Sequence, residues 1–324
     1  MAHQSTLPTA DYSPGSGYLL AAFGAALFST KAIFVKLAYG TGVVPVVDPI
    51  TLLALRMGFA LPVYLVIGVM AWRSRIRENR NLPNARQFIG AALVGILGYY
   101  CASYLDFEGL VYLTAQFERL ILFTYPFFVM LLGALFFGAR ITAWGLAALA
   151  LAYAGISIIY MEGATASGEH AVFGGLLVLG AAFSFALYQL VAKPLITQIG
   201  SRIFTCIAMS GACIAVLAHF LLQNSGLVIL DLPTRIIAMG AMLAIVSTIL
   251  PSFMLNAALD RVGPQAVAVL GTLSPSATII MAIFLLNEPF TMVDALGTSL
   301  VMAGVGLFTW RDARRKDYAA TAKE

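Results

Sequence analysis

Four charged residues interrupt long apolar stretches of the sequence: Lys31, Arg56, Glu118 and Arg119. An ionisable group inside hydrocarbon is costly, so it usually faces a partner charge or a cavity and often belongs to a transport pathway. Three cations against one carboxylate leave an excess of positive charge, which could attract an anionic group such as the carboxylate of an amino acid. The residue types therefore predict a substrate-binding site inside a membrane protein.

Alternatives to this interpretation stay open. Glu118 could pair with Lys31 or Arg56 and leave the other cation for a ligand. Equally, the charges could form a structural salt-bridge cluster while Arg119 extends to the membrane surface. Adjacent helix residues point ~100° apart, so Glu118 and Arg119 cannot both face one cavity. We expect Glu118 to be the only carboxylate well inside a helix. It could carry a proton in a coupled cycle or remain an ionised partner of Arg56.

The apolar stretches are long enough to hold these charges within a bilayer. Of the 324 residues, 60% are apolar and 10% charged, whereas roughly a quarter are charged in soluble domains. About 20 helical residues span the hydrocarbon core, and a spanning helix satisfies its own backbone hydrogen bonds. We predict an all-α polytopic membrane protein with ten transmembrane helices, at residues 17–37, 49–71, 88–108, 114–137, 142–160, 173–195, 202–222, 235–257, 264–286 and 292–310.

Helix rise places the four charges at a similar depth. Lys31 lies ~9 Å from the outer end of helix 1, and Arg56 lies ~10 Å from the same surface in helix 2. Glu118 and Arg119 lie ~6–8 Å inside helix 4. Charges on three helices are therefore expected to share one layer in the outer half of the membrane.

The sequence repeats itself, and each copy contains an odd number of helices. Residues 17–36 are echoed by 174–193, and Pro126 is matched by Pro275, 149 residues later. Five crossings in each copy would invert the second copy relative to the first, which is the inverted-repeat architecture of secondary transporters. The predicted organisation is an N-terminal tail at residues 1–16, a first repeat at 17–160, a second repeat at 173–310 and a basic C-terminal tail at 311–324.

Charges outside the apolar stretches predict the orientation. Five arginines lie between residues 73 and 86, and a second basic cluster follows residue 310. The alternate connections carry mainly acids, namely Asp48, Asp106, Glu162, Glu169, Asp231, Glu288 and Asp294. The positive-inside rule places the basic side and both termini in the cytoplasm. The chain has no signal-peptide pattern, so we predict an integral protein of a bacterial inner membrane, with no nucleic-acid partner.

The second copy provides an internal comparison for the charged layer. The positions that match the four charged residues are all uncharged: Tyr188, Met209, Val267 and Ala268. A layer needed for folding would be expected in both inverted halves. Its absence from the second half favours a functional origin, and divergence of one half is the alternative.

Prolines and polar aromatic residues supply further candidates. Pro126 and Pro275 lie near the middle of helices 4 and 9, where proline weakens a helix. At matched positions they predict paired flexible or discontinuous helices beside a midplane site, with a static packing bend as the alternative. Four residues near these prolines or in helix 3 could contact a ligand or simply pack: Tyr99, Tyr100, Tyr125 and Ser274.

Several motifs together resemble the drug/metabolite transporter superfamily, specifically its ten-helix members with two EamA domains. Helices 1 and 6 share a pattern that ends in Lys36 and Lys193, and an arginine, Arg56, follows the apolar start of helix 2. Matched prolines and the LLNEP segment around Glu288 complete the likeness. The first copy departs from the family pattern, because Ala139 stands where the second copy has Glu288.

The resemblance implies alternating-access transport of a small polar metabolite, with export of an amino acid or related compound as the first expectation. A drug-like cation or a vitamin is the alternative substrate, and a non-transporting scaffold or receptor is the alternative from another class. An enzyme, a cofactor and a metal site are not expected, since His3, His170 and His219 are scattered and lack ligand spacing. The expected partners are the substrate and the bilayer. A homodimer is left open.

Overall fold

The fold is all-α, as predicted, in the residues that this computed structural model describes: 14–40, 46–79, 81–138, 141–163, 170–224, 226–255, 258, 270–271 and 273–321. The helices are α1 (Pro14–Tyr39), α2 (Pro49–Arg77), α3 (Ala85–Tyr112), α4 (Ala115–Leu122 and Tyr125–Phe137), α5 (Ala143–Gly163), α6 (Ala171–Ile199), α7 (Ser201–Gln223), α8 (Thr234–Leu255), α9 (Leu273–Leu286) and α10 (Met292–Thr321).

The helices match the predicted transmembrane segments in number and order. Helices α1 to α8 have the length and apolar composition to span a membrane, and α9 and α10 contain shorter apolar segments. The predicted start of the ninth helix, residues 264–269, lies outside the described residues, as does most of the N-terminal tail. The C-terminal tail was predicted from residue 311, but α10 continues helically to Thr321.

Helix packing follows the sequence repeat. The self-matched pairs α2–α7 and α5–α10 are in contact. The remaining contacts come in matched sets: α1 packs on α9 as α6 packs on α4, and α3 packs on α6 and α7 as α8 packs on α1 and α2. This pairing is the pattern that a pseudo-two-fold axis between the two copies produces.

Small residues bring several helix backbones into direct contact. A side chain at Gly155 of α5 would overlap the carbonyl of Gly297 in α10, and one at Gly95 of α3 would overlap the backbone of Ala208 in α7. Small residues allow this close approach in membrane helices. The small-residue face around Gly95 is therefore used within the chain.

Helix α4 is broken in its middle. Its first half ends at Leu122, a turn follows at Phe123 and Thr124, and the second half begins at Tyr125 with Pro126 in its first turn. Proline is tolerated there because the first helical turn needs no backbone N–H donor. The predicted discontinuity is present at Pro126. Pro275 lies in the first turn of α9, and the preceding residue 272 is outside the described part of the chain.

Two π-helical turns occupy matched positions in the two copies. The first is Ile96–Cys101 in α3 and the second is Ile245–Ile249 in α8. Their starts are 149 residues apart, the same offset that separates the two mid-helix prolines. A π turn widens a helix by one residue and is frequently found at functional sites. These turns were not predicted from the sequence.

Candidate functional site

Lys31 connects two buried carboxylates on different helices. Its Nζ lies 2.5 Å from Asp106 Oδ2 of α3 and 3.5 Å from Glu118 Oε1 of α4. These are the ion pairs found among the described residues. All three side chains are buried, and Glu118 is completely inaccessible to solvent. Of the two partners predicted for Glu118, Lys31 is the one in contact.

Asp106 was missed as a site residue. Asp106 was expected in an outer connection, and Glu118 was expected to be the only carboxylate well inside a helix; both expectations are wrong. Helix α3 continues to Tyr112 instead of ending at Glu108, so Asp106 lies well within the helix and is 2% exposed. Its position inside an apolar segment of the sequence was the feature that could have identified Asp106 as a buried carboxylate. The layer therefore holds three cations and two carboxylates.

Arg56 is buried among neutral groups. Its Nε donates to Thr248 Oγ1 at 2.7 Å and its Nη1 donates to Ser103 Oγ at 3.5 Å. The guanidinium carbon lies 5.6 Å from the centre of the Phe107 ring, within reach of a cation–π interaction. No carboxylate in the described residues lies within ion-pair distance of Arg56. Neutral partners therefore orient the side chain, which makes no ion pair among the described residues.

The π turn of α8 positions the hydroxyl group that holds Arg56. Thr248 lies within this turn, and its Oγ1 donates to the carbonyl of Leu243, five residues earlier, at 2.9 Å. That bond directs an oxygen lone pair of Thr248 toward Arg56. Sequence reasoning missed Thr248 because hydroxyl residues in apolar helices usually bond to their own backbone.

Arg119 forms no ion pair with Asp106 or Glu118 in the described residues and connects three helices. Its Nε donates to Thr278 Oγ1 of α9 at 3.1 Å, and its Nη2 donates to the carbonyls of Phe28 and Ser29 in α1 at 3.4 and 3.5 Å. Arg119 is 4% exposed, so the alternative in which it extends to the membrane surface is wrong. Its separation from Glu118 follows from the ~100° rotation between adjacent helical residues.

Ser274 and Tyr99 contact different helices, α1 and α6 respectively. The hydroxyl of Ser274 is hydrogen-bonded to that of Ser29 at 2.7 Å, which places Ser274 beside the part of α1 that contacts Arg119. The Tyr99 hydroxyl, in contrast, is 3.0 Å from that of Tyr188 on α6. Of these two residues, Ser274 is the one that contacts α1, the helix that carries Lys31.

Tyr100 and Tyr125 lie against other helices. The Tyr100 hydroxyl is 3.0 Å from Nδ1 of His219 on α7. The Tyr125 ring packs edge-on against Phe185 of α6, with 5.2 Å between ring centres. The structure therefore brings Lys31, Glu118 and Arg119 around α1, and it places these two tyrosines elsewhere.

Sequence comparison identifies the family. The EamA-like transporter family matches residues 15–161 and again residues 172–310. The chain belongs to this family. The resemblance to the drug/metabolite transporters is thereby confirmed, and the family consists of transporters rather than enzymes. In the described residues, no group of three or more histidine, cysteine or acidic side chains could hold a metal ion.

Several relatives of this EamA protein are named as transporters. An uncharacterized transporter of Bacillus subtilis (strain 168) is 22% identical over 285 residues, covering 87% of this chain and 89% of the relative. A "Probable amino-acid metabolite efflux pump" of Escherichia coli (strain K12) is 30% identical over 213 residues, covering 61% and 70%. A "Probable terminal-alkyne amino-acid exporter" of Streptantibioticus cattleyicolor is 26% identical, covering 74% and 79%.

A crystal structure of a protein shares the fold. It aligns with a TM-score of 0.59 at 17% identity and covers 92% of this chain and 99% of the other. At this identity the likeness concerns the fold alone.

The LLNEP segment of this EamA protein stabilises the start of α4. Glu288 accepts hydrogen bonds from the backbone N–H groups of Ala115 at 2.8 Å and Gln116 at 3.2 Å. A carboxylate at a helix N-terminus satisfies free donors and complements the helix dipole. Glu288 thus fixes the short helix that carries Glu118. Ala139, its counterpart, has no group for such bonds and lies outside the described residues.

The charged layer is confined to the first copy wherever the matched positions can be compared. Tyr188 and Met209 are buried and uncharged. The counterpart of Asp106, at the offset of the π turns, is the apolar Leu255. Val267 and Ala268 are uncharged and lie outside the described part of the chain.

Proposed function

We propose that this EamA protein exports amino acids or closely related metabolites by alternating access. The names of two relatives support this substrate class: the Escherichia coli protein is named for efflux of amino-acid metabolites and the Streptantibioticus protein for export of a terminal-alkyne amino acid. The observation that carries the proposal is Arg56, a buried guanidinium that has neutral hydroxyl partners and no carboxylate partner among the described residues. Such a group can bind the carboxylate of a ligand with paired hydrogen bonds.

The surroundings of Arg56 favour an anionic group over a cationic one. Asp106 and Glu118 are in ion-pair contact with Lys31, and neither is in ion-pair contact with Arg56. A second guanidinium, Arg119, is likewise held by a hydroxyl and by backbone carbonyls. A ligand with only positive charge would add to this excess, whereas a carboxylate would reduce it. A substrate carboxylate bound to Arg56 would therefore supply the ion-pair partner that no described residue provides.

Matched irregularities in the helices support alternating access. The break before Pro126 and the two π turns interrupt regular helical hydrogen bonding in α4, α3 and α8, which carry Glu118, Asp106 and Thr248. Interrupted helices at the interface of inverted repeats are the usual positions of motion in secondary transporters. We infer that α4 bends at Phe123 and Thr124 as the site changes its exposure.

We also propose that the protein lies in a bacterial inner membrane with both termini in the cytoplasm. The basic connection after α2 supports this orientation through the positive-inside rule. Reporter domains that are active on only one side of the membrane, fused to the C-terminus, should report the cytoplasmic side. Activity of a reporter that works only in the periplasm would show that the C-terminus is outside. The charged layer would then lie in the cytoplasmic half of the membrane.

A ligand-stability screen tests the substrate class. Detergent-purified wild type, Arg56→Gln and Lys193→Gln are heated with amino acids, organic acids, nucleosides, vitamins and cationic drugs. A ligand at 100 times its Kd adds ~2.7 kcal/mol of stability, which is a measurable shift in Tm. Lys193 is exposed on α6, so its variant controls for the loss of one positive charge.

Carboxylate-bearing amines should stabilise the wild type and the Lys193→Gln variant and should lose their effect in Arg56→Gln. Stabilisation only by cationic drugs, or by the same compounds equally in all three proteins, would reject the proposed substrate class. Arg56→Lys retains a charge and serves as the second variant if Arg56→Gln does not fold.

A further inference from the structure

We propose that Lys36, Tyr39 and Glu288 form a latch that holds the outer end of the bundle closed. The matched residues of the second copy cannot form an equivalent latch at the cytoplasmic end, so the protein without substrate rests with its binding site open to the cytoplasm. The outer end is the one at which α1 and α3 end. The inference rests on the proposed alternating access and orientation, and it adds the resting state to them.

The latch ties α1 to α3 through two hydrogen bonds. Nζ of Lys36 donates to the carbonyl of Leu110 at 3.1 Å, and the hydroxyl of Tyr39 donates to the carbonyl of Phe107 at 2.9 Å. Leu110 lies in the last turn of α3, where carbonyl groups lack helical partners and attract a cation. Lys36 therefore binds the end of α3 instead of extending to the membrane surface.

Glu288 ties the start of α4 to the connection between α9 and α10. Its carboxylate accepts from two backbone N–H groups of α4, and the next carbonyl, of Pro289, accepts from Nε2 of Gln116 at 3.2 Å. The carboxylate also attracts the ammonium group of Lys36, although no ion pair joins these two described residues. Because Glu288 belongs to the second copy and α4 to the first, these contacts hold the outer ends of the two copies together. They must break if the site is to open outward.

The second copy lacks most of the groups that the latch uses. Three matched positions cannot make its hydrogen bonds: Ala139 for Glu288, Ile196 for Tyr39 and Pro264 for Ala115. Alanine and isoleucine side chains have no polar group, and proline has no backbone N–H. Ala139 and Pro264 lie outside the described residues, so for them the comparison concerns residue type alone. A closed cytoplasmic end would have fewer hydrogen bonds to hold it than the closed outer end has.

Two matched pairs of cations indicate which end is closed. Lys36 binds the end of α3, whereas its counterpart Lys193 is exposed on α6 and its ammonium group has no hydrogen bond to a described residue. Arg235 of α8 donates to the carbonyl of Leu37 in α1 at 3.2 Å. Its counterpart Arg86 of α3 is exposed and makes no such bond in the described part of the chain. The outer member of each pair is bonded across helices and the cytoplasmic member is not.

A latch at the outer end alone favours export. The closed outer end has the more stable contacts, so the cytoplasm-facing state is the more populated one before substrate binds. Substrate then enters from the cytoplasm, and its binding free energy must offset the loss of the latch before the site opens outward. Glu288 binds the half-helix of α4 that carries Glu118, which connects the latch to the charged layer.

Thiol labelling measures which side of the membrane reaches the site. Ser103→Cys places a thiol beside Arg56, after Cys101, Cys206 and Cys213 have been changed to alanine. The anionic, membrane-impermeant reagent sulfonatoethyl methanethiosulfonate is added to right-side-out or inside-out vesicles without substrate. The thiol should react at least ~tenfold faster from the cytoplasmic side. Faster reaction from the outer side, equal rates, or no reaction from either side would overturn the proposal.

Variants of the latch should change the preferred side. Glu288→Gln should increase outer labelling at least ~tenfold, because a hydrogen bond to a charged group can shift a two-state equilibrium by that factor. Lys36→Met should act in the same direction, and it replaces Glu288→Gln if the latter does not fold. Lys193→Met, the matched change on α6, should not increase outer labelling. The double variant Ala139→Glu and Pro264→Ala supplies the missing cytoplasmic groups and should slow cytoplasmic labelling.

The outcomes separate this inference from the proposed function. Labelling needs no substrate, so a failure of amino acids to bind or cross would reject the proposed function while the labelling rates still decide the latch. Outer rates that stay at the wild-type value in both Glu288→Gln and Lys36→Met would overturn the latch and leave amino-acid transport in place. The reporter fusion at the C-terminus independently establishes which type of vesicle exposes the outer end.

Discussion

The π turns of α3 and α8 occupy matched positions in the two copies, and they differ in what they hold. In α3 the turn brings Gly98 against the Tyr188 ring and places the Tyr99 hydroxyl beside that of Tyr188. In α8 the turn directs Thr248 at the guanidinium of Arg56. One π turn therefore packs aromatic rings and the other orients a charge. The two copies share the backbone irregularity, and the side chains at the turn differ between them.

The same contrast separates α1 from α6. Lys31 of α1 contacts two carboxylates, while the matched Tyr188 of α6 contacts aromatic residues. Buried ion pairs are weak contributors to stability, because the cost of desolvation offsets their attraction. The α6 side shows that this fold packs well at the matched positions without them. The proposed transport function gives the charges of the α1 side a role that the matched α6 positions do not share.

Asp106→Leu gives the first copy the residue of its counterpart, Leu255, and should have the largest effect on stability. Removing one partner of a buried ion pair typically costs about 3–5 kcal/mol, since Lys31 keeps its charge but loses its nearest carboxylate. Unfolding in detergent measures the change. The triple variant Lys31→Met, Asp106→Leu and Glu118→Gln should recover most of the loss. A single variant as stable as wild type would mean that the ion pair is unimportant.

Thr248→Val should weaken substrate binding, whereas Tyr99→Phe at the matched turn should not. The hydrogen bond from Arg56 to Thr248 involves a charged donor, and such bonds contribute about 1.5–3 kcal/mol. Its loss frees the guanidinium to move away from its binding position. Affinity for amino acids, measured by competition in an uptake assay with proteoliposomes, should fall at least tenfold. Equal affinities in the two variants would contradict the functional difference between the π turns.

Gly98→Ala should destabilise the protein more than Ser247→Ala, its counterpart. A Cβ at Gly98 would overlap the Tyr188 ring, and overpacking of this kind costs about 1–3 kcal/mol. Ser247→Ala removes only a 3.0 Å hydrogen bond to Thr30, which contributes about 1 kcal/mol. The Tm values of the two variants provide the comparison. A larger decrease in Tm for Ser247→Ala would contradict the prediction, because it would mean that the turn of α8 is the more tightly packed of the two.

Glu288→Gln should have the smallest effect. It weakens the cap of the half-helix that carries Glu118, and the loss of a helix cap costs about 0.5–2 kcal/mol. Asp294→Asn is the control, because Asp294 caps the exposed start of α10 through the N–H of Thr291, where water can replace it. Thermal unfolding should show a larger decrease for Glu288→Gln. Equal decreases in Tm would show that the buried cap of α4 contributes no more stability than the exposed cap of α10.

Much of the fold could be predicted because hydropathy and repetition are direct properties of a sequence. The ten segments, the repeat and the discontinuity at Pro126 follow from residue types and spacing. Helix ends are less certain, and an end predicted at Glu108 instead of Tyr112 hid Asp106. The π turns were unpredictable because the choice between i→i+4 and i→i+5 bonding depends on the neighbouring helices. These are α6 and α7 for the turn of α3, and α1 and α2 for the turn of α8.

The site could be predicted only as a layer. Helix rise fixes the depth of Lys31 and Glu118, but their contact depends on how α1 and α4 are rotated in the bundle. The partners of Arg56 and Arg119 are hydroxyl and carbonyl groups, which carry no charge pattern that a sequence reveals. With Asp106 included, the layer still has more cations than carboxylates, as expected. Neither arginine contacts a carboxylate in the described residues.

Calorimetric titration of the purified protein with three matched ligands tests the central claim most directly. These are the amino acid that stabilises it most, the amine left after decarboxylation, and the acid left after deamination. If Arg56 binds the carboxylate of the substrate, the amino acid should bind at least ~tenfold more tightly than the amine, a difference of ~1.4 kcal/mol. The acid keeps the carboxylate and should also bind more tightly than the amine. Equal binding of the amino acid and the amine would contradict the assignment of Arg56 as the carboxylate site.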